Sequence, residues 1–302
     1  MARILGVGIA TLDIVNHVEH YPAEDAEVRA LSQEVRRGGN VANTLVVLSQ
    51  LGHDTRWAGT LADDSDSATI RADLARYGID TRHVELIPGG HAPTSYIALS
   101  RQNGSRTIVH YRDLPEYRLE AFLGIDLTAL DWLHFEGRNV TAVAGMLRHA
   151  RRQRPELPLS VEIEKPREGI ERLREHADLL IYSRHYALWL LGAEAATAAD
   201  AAATFLRRMQ RQAPQADHVC SWGGHGAFGL RAGEQRIHHA AATTPARVVD
   251  TIGAGDTFNA ALIHARLAGR EFPEGLHDAC RLAGRKVGQQ GFHGLATNQE
   301  RA

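Results

Sequence analysis

Short, mostly apolar runs alternate along this chain with longer stretches in which apolar residues recur every three or four positions. The runs ILGVGIA (4–10), TRWAGTL (55–61), WLHFEG (132–137), LPLSVEIE (157–164), ADLLIYS (177–183) and HVCSWGG (218–224) have the length and content of strands buried on both faces. NVANTLVVLSQLG (40–52), DSATIRADLARYG (66–78), TAVAGMLRHARRQ (141–153) and AADAAATFLRRMQRQ (198–212) carry the spacing of amphipathic helices. Strand followed by helix, repeated, predicts an α/β fold with a mainly parallel central sheet flanked by helices. The Ala-rich segment around Ala195 reads as helix and not as linker.

Two stretches break this rhythm. Residues 14–39 and 94–112 alternate apolar and polar positions around turns, the second through RQNGS, and this is the period of half-buried strands. They predict a small antiparallel β lid outside the main sheet, or a surface for self-association. The excursions cover about 12–37 and 90–113, and no Pro/Ser/Gly-rich linker divides the chain, so 1–302 reads as a single domain.

Composition narrows the function. The 34 basic and 36 acidic residues are spread along the chain, leaving no footprint for nucleic acid, and RHARRQR reads as a solvated helix face. No stretch approaches the roughly 20 apolar residues of a membrane helix. The opening MARILGVGIATLDIV is interrupted by Asp13, so it reads as a first strand and not a signal peptide. Cys220 and Cys280 lack any CxxC partner and are expected to be reduced, buried thiols of a cytoplasmic protein. In that compartment the sequons at Asn103 and Asn139 are chance matches. There is no GxxxxGK[ST], HRD or DFG, and GVGIAT lacks the third glycine of a dinucleotide fingerprint. The 17 histidines include no HExxH, and no metal ligand is assigned. His238 and His239 are placed in a surface hairpin.

RRGGNVANT and DTIGAGDTFNA remain. In the second, Gly253 and Gly255 precede an Ala-rich helix, with Asp256 as its cap or as a base beside an anion hole of converging N–H groups. In the first, Asn40 and Asn43 follow a glycine pair, either as a simple cap or as amides that grip hydroxyls. With Asp13 they put many polar groups at one end of a sheet, where open α/β folds bind ligands.

In this order and at this separation, GGNVAN and DTIGAGDTF resemble the two signatures of the ribokinase-like (PfkB) carbohydrate kinases. YPAEDAEVRALSQEVRRGGN, GSRTIVHY, LHFEGRN, SVEIEKPRE and GQQGFHG extend the resemblance almost end to end, toward the ketohexokinase branch of that family. The resemblance implies a ribokinase-like fold, ATP with Mg²⁺, and phosphoryl transfer to a primary sugar hydroxyl, with O1 of D-fructose foremost. A kinase for another furanose or ketose (ribose, tagatose or a nucleoside), or an inactive sugar binder, are its alternatives.

Sugar contacts are implied at Asp13, Gly39, Asn40, Asn43 and Asp256, with Asp256 as the base. The N–H groups of Gly253, Ala254 and Gly255 would hold the transferred phosphoryl group, and Arg106 the ATP phosphates. Gly223, Gly224, His225 and Gly226 fall where the family contacts the nucleotide. Animal ketohexokinases carry acidic residues at the positions of Gly224 and His225, a departure that bears on nucleotide contacts. Asp25 matches a residue that the family presents to a neighbouring subunit's sugar site, implying a homodimer through the lid. Glu136 and Glu164 fall near metal and phosphates, or form strand-end ion pairs. Asp250 with Thr251 shapes the loop or binds a monovalent cation such as K⁺. A carboxylate at a helix N-terminus is expected to have a lowered pKa.

Overall fold

A computed structural model describes residues 1–102, 105–192 and 197–296, so Asn103 and the segment around Ala195 lie outside the described residues. The chain opens with β1 (Arg3–Val7), then leaves the main sheet for β2 (Thr11–Val18) and β3 (Ser32–Gly38). It returns through α1 (Asn40–Gln50) and β4 (Asp54–Ala58). The predicted run 55–61 is split at Gly59, and its end forms β5 (Thr60–Ala62). After α2 (Ser65–Arg76) come β6 (Glu85–Ile87), β7 (Thr94–Ser100) and β8 (Arg106–Tyr111). The short α3 (Leu119–Leu123) precedes β9 (Trp132–Glu136), α4 (Val140–Gln153) and β10 (Leu159–Ile163). β11 (Leu179–Ser183), α5 (Arg184–Leu191), α6 (Ala198–Gln212) and β12 (Asp217–Ser221) continue the alternation. A hairpin of β13 (Ala227–Leu230) and β14 (Ile237–Ala240) and two helices, α7 (Ala254–Leu267) and α8 (Phe272–Val287), complete it.

The main sheet has the order β14-β13-β12-β11-β10-β9-β1-β4, parallel from β4 to β12 and antiparallel only through the last hairpin. Its central strands are buried on both faces, which explains their unbroken apolar runs. On one face Phe135, Val161 and Tyr182 pack under α3, α4, α5 and α6. On the other, Ile4 and Ile181 meet α1, α2, α7 and α8. Helix α1 is buried from Val41 to Leu48 because it lies between the sheet and α7. Both cysteines are free and buried. Among the described residues no helix is long and apolar enough to cross a membrane.

The two excursions form a separate four-stranded sheet, β3-β2-β7-β8. Each hairpin half is antiparallel, as the alternation predicts, and the halves join through a parallel β2–β7 pair. One row of this sheet runs Val35, Ile14, Tyr96, Val109 across all four strands, with Val35, Tyr96 and Val109 at least half exposed.

Candidate active site

The parallel strands deliver their C-terminal ends to one edge of the sheet, and the N-termini of α1 and α7 open onto the same edge. A cavity of about 400 Å³ lies there. Asp13, Gly39, Asn40, Asn43, Arg106, Gly253, Gly255 and Asp256 line it together with Glu136 and Glu164. A second cavity of about 440 Å³ adjoins it, lined by Gly223, Gly224, Gly226, Ala254 and Phe258. Arg106, Ser221, Thr251 and Gly255 line both.

Local geometry explains the glycines. Gly39 caps α1 at φ 102°, and a Cβ there would lie 2.2 Å from the Ile9 carbonyl oxygen. Gly253 caps α7 at φ 81°, and a Cβ there would lie 2.2 Å from the Phe292 ring. Both positions therefore demand glycine, for conformation and for space. Neither helix is capped by a side chain, so Asn40 and Asp256, which stand in the first turns of α1 and α7, are free for other partners. The cap reading of both residues is thereby corrected. The N–H of Ala254 already donates to the Thr251 carbonyl at a long 3.4 Å, so its availability to an anion is less than the sequence implies.

Asp256 is buried, and Asn43 Nδ2 donates to its Oδ2 at 2.6 Å. Arg37 Nη1 donates to the Asn43 Oδ1 at 2.6 Å, and Arg37 Nε to Asp73 at 2.8 Å, which fixes the amide's orientation. Thr44 Oγ1 donates to the Asp256 carbonyl at 3.2 Å and ties α1 to α7. Burial raises the Asp256 pKa to about 7; the Asn43 bond opposes this, and the charges of Glu164 and Glu136 add to it. The expected lowering is thus corrected: desolvation is the largest influence on Asp256, and the neighbouring carboxylates act in the same direction.

Glu136 is also pushed up to about 7 by burial, with its Oε2 accepting from the Ile9 N–H at 3.0 Å. Asn40 Nδ2 bridges Glu162 Oε1 at 3.1 Å and Glu164 Oε2 at 3.3 Å. Glu162, unnoticed in the sequence, is buried with its Oε2 unpartnered, and burial next to Asp256 raises its pKa well above the usual range. Its signal was present: a charge inside LSVEI, on the same strand face as Ser160 and Glu164. Asp13 lines the cavity and accepts from Thr11 Oγ1 at 2.8 Å.

Opposite these carboxylates, the side sheet contributes Arg106 from β8, whose Nη1 donates to Thr251 Oγ1 at 2.9 Å. Ser95 and His110 line the same wall, 3.2 Å apart, and escaped the sequence reading. His225 lines neither cavity; its carbonyl accepts from His239 Nε2 at 2.9 Å. Asp25 lies at φ 59° in an exposed loop and also lines neither cavity. Asp250, expected with Thr251 to bind a cation if not to shape the loop, is already bonded to Arg36 and Lys286. Among the described residues no cluster of three His, Cys, Asp or Glu is disposed to hold a metal ion.

Comparison with known proteins agrees with this arrangement. Mouse ketohexokinase is 38% identical over 97% of this chain and 98% of its own. Ribokinase of Bacillus subtilis strain 168 is 25% identical over 99% of this chain and 98% of its own. Among solved structures, ribokinase from Giardia lamblia matches with a TM-score of 0.83 at 16% identity, covering 100% of this chain and 99% of that one. Arabidopsis thaliana ribokinase, solved with ribose and ATP, matches with a TM-score of 0.78 at 19% identity, covering 96% and 94%. These structural likenesses carry the fold, which is ribokinase-like. The pfkB family carbohydrate kinase pattern matches residues 1–297, and the chain belongs to that family as a sugar phosphotransferase.

Proposed function

We propose that the protein transfers the γ-phosphoryl group of ATP to a primary hydroxyl of a ketohexose, D-fructose foremost, giving fructose 1-phosphate. The observation that carries this reading is the junction of the two cavities. One is walled by hydroxyl-binding groups (Asp13, Asn40, Asn43), the other by glycines and apolar side chains, and they meet at Gly255 and Arg106, next to Asp256. A sugar in the first and a nucleotide in the second would face each other across that point. The likeness to mouse ketohexokinase favours a ketohexose over ribose as acceptor.

In the proposed step Asp256 accepts the proton of the attacking hydroxyl. Its raised pKa lies near the operating pH, where a general base is most effective. Asn43 aims the carboxylate, and Arg37 aims Asn43. The first-turn amides of α7 have no intrahelical acceptor, so those of Gly253 and Gly255 receive charge on the transferring group, and Arg106 neutralises it from the lid. The cavity fits Mg²⁺ arriving with the nucleotide. Glu162 and Glu164 offer hard oxygens, and one Glu162 oxygen lacks any partner. These two residues would hold the ion through water, and when bound it offsets phosphate charge. The apolar row Val35, Ile14, Tyr96, Val109 supports a homodimer in which side sheets pack together.

Release of ADP with D-fructose, D-tagatose, D-ribose, adenosine and fructose 6-phosphate, with product mapping, tests the acceptor. Fructose is expected to give the highest kcat/KM and a 1-phosphate. A faster acceptor among the others overturns the ketohexose assignment and leaves the kinase intact.

A further inference from the structure

Behind the loop from Asp250 to Gly255 lies a charged cluster that takes no part in the step above. Lys286, near the end of α8, has no exposed surface and lines neither cavity. Its ammonium donates to the Asp250 carbonyl at 3.1 Å and to Asp250 Oδ2 at 3.0 Å. Asp250 also accepts from Arg36 Nη1 at 3.0 Å, from the Ile252 N–H at 3.0 Å and from the Gly291 N–H at 3.2 Å. Phe292 joins the two sides of the loop: its ring lies 5.4 Å from Lys286 Nζ and packs against Gly253.

The resemblance left Asp250 with Thr251 either to shape the loop or to bind a monovalent cation. The residues present do not fit one. A K⁺ ion needs oxygens that are not already committed to cations, and here the carboxylate and the carbonyl of Asp250 both point at an ammonium. That ammonium carries the charge of K⁺, with three donors of its own. Burying it costs several kcal/mol unless it is paired and hydrogen-bonded, so its position is specified by Asp250 and by no solvent contact.

We propose that Lys286 is a tethered cation that replaces a dissociable monovalent ion: it fixes Asp250, which in turn holds the Ile252 N–H, and thereby keeps the Gly253 and Gly255 amides in their anion-binding geometry. Lys286 is a positioning residue, and this assignment rests on the kinase reading of the site. The enzyme therefore works without K⁺, and it becomes dependent on a cation only when the tether is removed.

The test measures ADP release by wild type, Lys286→Met and Lys286→Arg in buffers whose cation is tetramethylammonium, Na⁺, K⁺ or NH₄⁺. Wild-type kcat is expected to change less than about twofold among them. Lys286→Met should lose on the order of 10²-fold in tetramethylammonium, a loss comparable to removal of one oxyanion-hole donor, and should regain about tenfold or more in K⁺ or NH₄⁺. Thermal melts give a readout independent of turnover. K⁺ should raise the Tm of Lys286→Met by about 2 °C or more and leave wild type unmoved. Wild-type activation by K⁺ of about tenfold overturns the proposal, as does a folded Lys286→Met that no cation rescues. Should Lys286→Met not fold, salt independence of wild type and of Lys286→Arg decides the matter. If no acceptor is phosphorylated in any buffer, the kinase reading fails, and the melts still decide whether Lys286 excludes the ion.

Discussion

Asp256 in front of the α7 loop and Asp250 behind it are both buried, yet their surroundings drive them in opposite directions. In front, burial and the carboxylates of Glu164 and Glu136 raise the Asp256 pKa. Behind, burial alone would raise the Asp250 pKa, but Arg36 and Lys286 hold it below the ordinary carboxylate range. One short motif thus holds one carboxyl group poised near neutrality and another fixed as an anion. The partners that decide this come from β3, α1, α8 and two strand ends, not from the motif itself.

The largest expected effect separates the two aspartates by chemistry. Asp256→Asn should lower kcat by about 10²- to 10⁴-fold, with ATP affinity held within about threefold. Steady-state kinetics and nucleotide titration check both, and a variant retaining half of wild-type turnover would place the base elsewhere. Next is stability behind the loop: Asp250→Ala strands a buried ammonium and should cost about 3–5 kcal/mol in urea unfolding. A loss under about 1 kcal/mol would show that the cluster is solvated.

Proton linkage sharpens the contrast. The folded pKa of Asp250 lies below its unfolded value, so its stabilisation is present above the unfolded pKa and is lost as pH falls through the folded one. The folded pKa of Asp256 lies above its unfolded value, so its contribution is full below the unfolded pKa and is lost as pH rises through about 7. Asp256→Asn should therefore raise the melting temperature above neutral pH, by about 2–4 °C per kcal/mol recovered, and have less effect at pH 5. In wild type kcat/KM should fall as pH drops below about 7, and Asn43→Ala should move that limb to higher pH by removing a bond that favours the ionised form. An acid limb unmoved in Asn43→Ala would uncouple the amide from the base.

The smallest effect on stability belongs to the side sheet. Tyr96→Ser with Val109→Lys should change folding stability by less than about 1 kcal/mol, as both side chains are exposed, while abolishing self-association in sedimentation. A dimer that persists would assign the interface to another surface.

Much of this architecture was legible because each parallel strand, covered on both faces, appears as a continuous apolar run. β1, β4, β9, β10, β11 and β12 fall within or next to such runs. The β13–β14 hairpin was anticipated only at its histidine pair, and the short α3 and α5 carry too few residues for a period to emerge. In the site, Asn43 and Asp256 were found separately, while their 2.6 Å contact joins residues 213 positions apart. His225 was assigned with Gly223, Gly224 and Gly226 from the resemblance, yet of these four it alone does not line the second cavity.

The sequence by itself determined the strand–helix alternation, the glycines at the two helix starts and the residue types offered at each. These follow from local periodicity and from backbone conformations that only glycine adopts readily. Tertiary structure alone decided which carboxyl group is poised near neutrality and which is held as an anion. A carboxyl group's pKa depends on its solvation and on charges within a few ångströms, and both are supplied here by residues distant in the chain.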